Sequence, residues 1–318
     1  MSGVQRLTVA ADEAELRLDR WFKRHFPALT HGRLEKLLRT GQVRVDGGRV
    51  QASLRLAAGQ EIRVPPLADA PPPSQPHQRP VSDGDLRDLQ AAVLYRDDDV
   101  LAIDKPVGLA VQGGTGVDRH LDAMLDGLRF GSPERPRLVH RLDRDTSGVL
   151  ILARHARAAA ELTAAFRRKE CRKIYWAVVV GMPPERRGRI VAAIEKRPGP
   201  AGDRMRISDD GQAAVTEYRV IDTAGRRAAW LELRPVTGRT HQLRVHCVAL
   251  GTPVLGDGKY GGRLAFLDGP ELDRRLHLHA HSIEVPRPAG AKLRISAPLP
   301  AHLAAAFRFF GFSGIDVD

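Results

Sequence analysis

Five consecutive aliphatic residues, Val149-Leu150-Ile151-Leu152-Ala153, follow directly on His140-Arg141-Leu142-Asp143-Arg144-Asp145-Thr146-Ser147-Gly148. The aliphatic run predicts a buried strand. Asp145-Thr146-Ser147-Gly148 predicts a tight turn leading into it. Asp143 is thereby placed in a loop just ahead of a rigid element, a common position for a catalytic group. It lies between Arg141 and Arg144, and nearby positive charge favours an ionised carboxylate. Spacing alone leaves two readings open. Asp143 is either a nucleophile or base, or one member of a surface ion-pair cluster, since structural networks perturb carboxylates too.

The 318 residues suggest two domains. No apolar run approaches the ~20 residues of a membrane span, and no hydrophobic signal segment opens the chain. Cys171 and Cys247 fit neither a disulfide framework nor a zinc site, which points to a reducing cytoplasm. The net charge of +12 favours a polyanionic partner, nucleic acid first. Arginine-rich composition alone is equally that of a merely basic soluble protein.

Residues 1–65 read as a separate module. Leu18, Trp21 and Phe22 have helical spacing, and a second helix carries Leu34, Leu37 and Leu38 on one face and ends at Gly41. Val43–Val45 and Glu61–Val64 read as short strands, the first turning at Asp46-Gly47-Gly48. The module holds twelve Lys/Arg against seven Asp/Glu. Arg33, Lys36, Arg39 and Arg44 are its candidate phosphate contacts; an ordinary solvated helix face is the alternative. Residues 66–90, with Pro71-Pro72-Pro73-Ser74-Gln75-Pro76, read as an extended proline-rich linker.

The large domain, 91–318, opens with strands at 92–95 and 100–104 joined by Asp97-Asp98-Asp99. Three successive carboxylates lack the alternate spacing of a metal loop, so they read as a solvated turn. Gln112-Gly113-Gly114-Thr115-Gly116 lacks the spacing of a nucleotide fingerprint. A helix at about 155–170 ends in Arg167, Arg168 and Lys169, followed by Arg172 and Lys173. These cations suit either phosphate contacts or the helix dipole. Strands are expected at 173–181, 190–194, 205–207, 215–220, 228–233 and 293–295, and helices at 241–250 and 303–310. His241 and His246 lack the four-residue pairing of a zinc helix. His277, His279 and His281 alternate along a strand and would share one face, yet no carboxylate or thiol is placed to assist them. No metal is assigned.

The run His140 to Gly148 resembles the His-Arg-Leu-Asp-x-x-Thr-Ser-Gly signature of the RluA-type pseudouridine synthases. Three further stretches are similar to that family's motifs. They are Asp104-Lys105-Pro106-Val107-Gly108, Lys173-Ile174-Tyr175-Trp176-Ala177-Val178-Val179-Val180-Gly181, and Thr237-Gly238-Arg239-Thr240-His241-Gln242-Leu243-Arg244-Val245-His246 with Gly256-Asp257 and Tyr260-Gly261 beyond. The resemblance implies isomerisation of uridine to pseudouridine in RNA, without cofactor or metal. It implies Asp143 as the catalytic carboxylate and Lys105 in a loop-buttressing motif. Arg141 would displace the target base, Tyr175 would stack on it, and Arg244 would pair with Asp143.

Arg17-Leu18-Asp19-Arg20-Trp21, the run Leu37 to Gly47 and Gly59-Gln60-Glu61-Ile62 resemble the RNA-binding domain named after ribosomal protein S-four. Together the two resemblances imply an α+β chain: an αL-type RNA-binding module, then a catalytic domain with a mixed, mainly antiparallel central sheet. A preceding module of this type points to large-subunit ribosomal RNA, or its assembly intermediate, as the partner. No obligatory dimer helix is visible, so a monomer is expected. The rival reading is a noncatalytic RNA-binding or ribosome-assembly factor on the same fold.

Overall fold

A computed structural model describes residues 3–67, 81–114, 117–199, 203–287 and 291–313. The chain divides into two compact units, Met1–Gln78 and Arg79–Asp318.

In the first unit, β1 (Gln5–Thr8), β3 (Glu61–Val64) and β2 (Arg44–Val45) form an antiparallel sheet in the order β1-β3-β2. It is joined by helices α1 (Leu18–His25) and α2 (His31–Arg39). Leu18, Trp21 and Phe22 of α1 meet Leu34 and Leu38 of α2 over Val45, Ile62 and Val64, as their spacing requires. Thr40 closes α2 and Gly41 follows at φ +69°, the left-handed position that glycine occupies without a Cβ penalty. Strand β1 was not expected. Gln5-Arg6-Leu7-Thr8 is too short and polar to show a period, and pairing with β3 supplies what its side chains do not.

The second unit is an α+β fold. Its elements are α3 (Asp83–Ala91), β4 (Val93–Arg96), β5 (Val100–Lys105), α4 (Leu121–Met124), β6 (Arg137–Leu138), β7 (Ser147–Ala153), α5 (Ala156–Arg167), β8 (Arg172–Val180), β9 (Arg187–Val191), β10 (Ile194–Arg197), β11 (Arg204–Ile207), β12 (Val215–Ala224), β13 (Ala228–Pro235), α6 (Gln242–Ala249), β14 (Leu278–Val285), β15 (Leu293–Ser296) and α7 (Ala301–Phe310). Among the described residues, ten strands make one mixed sheet. Its path is β4-β5-β7-β14-β8-β13-β12-β9, with β6 on β7 and β15 on β14. β7 and β14 pair in parallel and the other pairings are antiparallel. β10 and β11 form a separate hairpin.

Alternation sorts the core. Leu101, Ile103, Leu150 and Leu152 face α4, while Val100, Ala102, Val149 and Ile151 face α5. All seven residues of β7 are buried, so the aliphatic run is the strand expected of it. Further along, Ala177, Val179, Leu231 and Leu233 lie under α6, while Trp176, Val178 and Trp230 pack on Phe307 of α7.

One expectation needs correction. Residues 83–91 are not linker: Ser82 Oγ accepts from Asp85 N–H (3.1 Å), Asp85 accepts in return from Ser82 N–H (3.2 Å), and Leu89 enters the core. This reciprocal cap starts α3 and extends the second unit upstream of residue 91. Pro71–Pro76 lie outside the described residues. The three strand histidines are engaged with partners of their own. A bulge interrupts β14 between His279 and Ser282, His281 stacks on Trp176 (3.4 Å), and His277 bonds to the carbonyls of Arg275 and Leu255. The aspartate run is the expected turn, with Asp97 Oδ1 accepting from the N–H groups of Asp99 (2.9 Å) and Val100 (2.6 Å). Among the described residues no helix is long and apolar enough to cross a membrane.

Candidate active site

The loop bearing Asp143 is held from three sides. His140 Nε2 accepts the N–H of Ile151 (2.8 Å), and its ring lies on Phe166 (4.5 Å). Burial pushes this imidazole down to about 3, so it stays a neutral acceptor. Lys105 is fully buried, and its Nζ donates to the carbonyls of Pro106 (2.8 Å), Leu109 (2.9 Å) and Arg144 (3.0 Å). Desolvation draws its pKa to about 7 against the charges of Asp145, Asp143 and Asp104. The N–H of Gly108 reaches the same Arg144 carbonyl (2.9 Å). The lysine thus ties the loop to the end of β5.

On the strand side, Gly148 sits at φ +107°. A Cβ there would lie 2.3 Å from the Ala280 carbonyl oxygen on β14. The close parallel pairing of β7 with β14 therefore requires glycine. Ser147 donates to His279 Nδ1 (2.8 Å), whose Nε2 faces the Ala297 carbonyl (3.4 Å).

Asp143 lines a cleft of about 1110 Å³ together with Arg141, Thr146, Tyr175 and Leu243. Its carboxylate keeps 21% of its exposure. Tyr175, on β8, is partly buried. Burial, and then the charge of Asp143, push its phenol above its usual pKa. Arg141 donates to Thr240 Oγ1 (2.7 Å) across the cleft, and Arg144 Nε turns to the Gly108 carbonyl (3.2 Å). Neither arginine forms an ion pair with Asp143 among the described residues, contrary to the reading from adjacency in sequence.

The expected Arg244–Asp143 pair is also absent within 4 Å. Arg244 Nε and an Nη of the same guanidinium grip Asp257 instead (2.8 and 2.6 Å), and the pair is buried at 6% and 0% exposure. Burial alone would lower the Arg244 pKa. The bonds and charge of Asp257, and then the charge of Asp143, outweigh it and raise it. Asp143 thus reaches Arg244 through its charge, not through contact. The one basic side chain within 4 Å of the carboxylate among the described residues is His241, with Nε2 3.9 Å from Asp143 Oδ1. Its Nδ1 lies 2.5 Å from the Tyr260 hydroxyl, and Arg244 stacks on the Tyr260 ring (4.9 Å). His241, Asp257 and Tyr260 were not among the candidate site residues. Asp257 and Tyr260 stood in the quoted Gly-Asp-x-x-Tyr-Gly run, whereas His241 was placed within the helix.

The cleft wall is basic. Arg167 and Lys169 come from the end of α5, Arg172 and Lys173 from β8, Arg234 from β13, and Arg239 from the loop before α6. Arg167 at the end of α5 and Lys169 just beyond it thus face the cleft. Arg234 carried no signal in the sequence, and Arg239 stood there only as part of the quoted Thr-Gly-Arg run. In the first unit, Lys36 and Arg39 are exposed on α2 and Arg33 is half-buried. Arg44 is different: it donates to the carbonyls of Gly41 and Gly47 (3.1 Å each), so it braces the turn. Among the described residues no group of three or more His, Cys, Asp or Glu side chains is arranged to hold a metal.

Residues 99–249 match the family model described as RNA pseudouridylate synthase. An Arabidopsis thaliana protein named RNA pseudouridine synthase 4, mitochondrial, is 35% identical over 94% of this chain and 80% of its own length. Ribosomal large subunit pseudouridine synthase C of Rickettsia conorii is 36% identical over 89% of this chain and 94% of its own. Among solved structures, human RNA pseudouridylate synthase domain containing 4 superposes with a TM-score of 0.60 at 30% identity, covering 71% of this chain and 95% of that one.

Proposed function

The chain belongs to the RNA pseudouridylate synthase family, and from that premise we propose that it isomerises specific uridines of large-subunit ribosomal RNA, with Asp143 as the essential carboxylate. It is an enzyme, an isomerase acting on RNA. The observation that carries the assignment of Asp143 is its place in the cleft: a partly exposed carboxylate beside Tyr175, under a basic wall. The choice of large-subunit RNA is supported by relatives named for that subunit.

The reaction breaks the bond from uracil N1 to ribose C1′, turns the base and joins C5 to C1′; the C5 proton is released and N1 takes one up, so the product is an isomer. The base must first leave its stack. In this reading Arg141, at the cleft mouth, enters the vacated position, and Tyr175 supports the extruded uracil with its aromatic face. Asp143 supplies the carboxylate on which departure of the base from the sugar depends. The cleft cations hold the flanking phosphates, and Arg33, Lys36 and Arg39 of the first unit are the phosphate contacts of an S-four-type RNA-binding module.

The test is tritium release from large-subunit ribosomal RNA labelled at uridine C5, comparing wild type with Asp143→Asn, with RNA binding measured in parallel. Release by wild type alone, at equal binding, supports the assignment. Activity of Asp143→Asn near wild type refutes it. Absence of release from wild type on both naked RNA and immature subunits, with binding intact, turns the reading to a noncatalytic RNA-binding factor.

A further inference from the structure

We propose that His241 and Tyr260 form a relay that positions Asp143, with Tyr260 fixing the His241 tautomer so that Nε2–H points at the carboxylate. The proposal rests on the assignment of Asp143 above and adds two positioning residues to it.

The argument follows the hydrogen bonds inward. The N–H of Met205, on β11, donates to the Tyr260 oxygen (3.2 Å), so that oxygen already accepts a backbone proton. Among the described residues the one acceptor in reach of the Tyr260 O–H is His241 Nδ1, at 2.5 Å. A neutral imidazole carries one proton, and an accepting Nδ1 puts it on Nε2. Nε2 is the atom 3.9 Å from Asp143 Oδ1. That gap exceeds a hydrogen bond, and such contacts often close only when substrate is bound.

The backbone supports the same reading. His241 sits at φ +53° and ψ +20°, a left-handed conformation that non-glycine residues rarely adopt. Strain of this kind persists where surrounding structure enforces it. Here Gln242 does so: its Oε1 accepts from the Arg239 N–H (3.0 Å) and the Thr237 hydroxyl (2.7 Å), and its Nε2 donates to the Val215 carbonyl (2.9 Å). The loop is thus fixed, and His241 is turned toward Asp143 while the helix runs on behind it. Asp257 occupies Arg244, and His241 is the one basic side chain within 4 Å of Asp143 among the described residues.

Two conservative variants test this in the full-length protein. Asn tolerates the left-handed backbone but has no ring nitrogen, so His241→Asn removes the relay without forcing the loop. Tyr260→Phe keeps the ring that Arg244 stacks on and removes only the hydroxyl. Each is expected to lower kcat by about tenfold to a hundredfold, the scale on which an orienting partner of a reacting group acts. KM and RNA affinity should stay within about twofold of wild type, because phosphate contacts set them.

The second readout is the 15N spectrum of histidine-labelled protein, with the His241 signal identified by its loss in His241→Asn. Wild type should show the Nε2–H tautomer, and Tyr260→Phe should show a mixture. An Nδ1–H tautomer in wild type, or wild-type kcat in both variants, overturns the relay. Equal loss of RNA binding and turnover in both variants overturns it as well, since the role is then merely structural. The spectrum is independent of turnover, so failure of the proposed activity and failure of the relay remain distinguishable.

Discussion

Replacing Asp257 with Asn should cost far more stability than replacing Asp143 with Asn, although both remove one carboxylate from the same region. Asp257 is fully buried and accepts two bonds from Arg244 and one from the N–H of Tyr260 (3.1 Å). Removing its charge leaves the Arg244 guanidinium desolvated and unpaired. Breaking a buried pair from one side costs about 3–5 kcal/mol. Asn retains one oxygen acceptor, which puts Asp257→Asn at the lower end, about 3 kcal/mol. In a unit of this size each kcal/mol moves Tm by about 2–4 °C, so the expected fall is roughly 6–12 °C. Asp143 is partly exposed, and the one ionisable partner within 4 Å of it among the described residues, the His241 ring, stands 3.9 Å away. Asp143→Asn should therefore change stability by less than about 1 kcal/mol. Thermal unfolding followed by near-ultraviolet circular dichroism reads the second unit through the edge-on pair Trp176 and Trp230 (5.1 Å). The double variant Arg244→Met/Asp257→Leu, which leaves no buried charge, should recover much of the loss. An Asp143→Asn melt as depressed as that of Asp257→Asn would mean that Arg244 serves Asp143 after all, and the reasoning fails.

Three further perturbations follow from the same geometry. Gly148→Ala would drive a methyl group into the Ala280 carbonyl and should abolish soluble, cooperatively melting protein; an unchanged melt would show that β7 can move off β14. Lys105→Met fills the space but removes three bonds to carbonyl oxygens, one of them on the Asp143 loop; turnover should fall by about tenfold or more at unchanged RNA affinity, and an unaltered kcat would deny the loop its tether. His277 and His279 are fully buried and held down to about 4, below the ~6.5 of an unfolded histidine. Between those values the unfolded chain binds more protons, so stability is full above pH 6.5 and declines as pH falls toward 4, by up to ~1.4 kcal/mol per unit for each ring; equal urea midpoints at pH 7.5 and 5.5 would contradict this burial.

The strands and helices that carry the site were legible because each buries one face, and burial leaves a period in the sequence. β7, α1 and α5 are of this kind. The Asp143 loop was legible for a different reason: its residues are fixed by backbone demands that only certain side chains meet. Gly148 must pass close to Ala280, and His140 must accept from Ile151. What the sequence did not disclose is which charges meet. Arg141 and Arg144 flank Asp143 along the chain, yet a loop residue's neighbours in sequence need not point its way, and both arginines turn to other acceptors. Arg244 and Asp257 are thirteen positions apart, and their pairing depends on how the segment after α6 folds back; no helical or strand period encodes that. The same fold-back brings Tyr260 under His241 and so assembles the relay. A carboxylate that meets substrate cannot also be locked in a bidentate ion pair without losing reach. The locked pair here is Arg244 and Asp257, one layer back, and the Asp143 carboxylate stays unclamped in the cleft, as the proposed role requires.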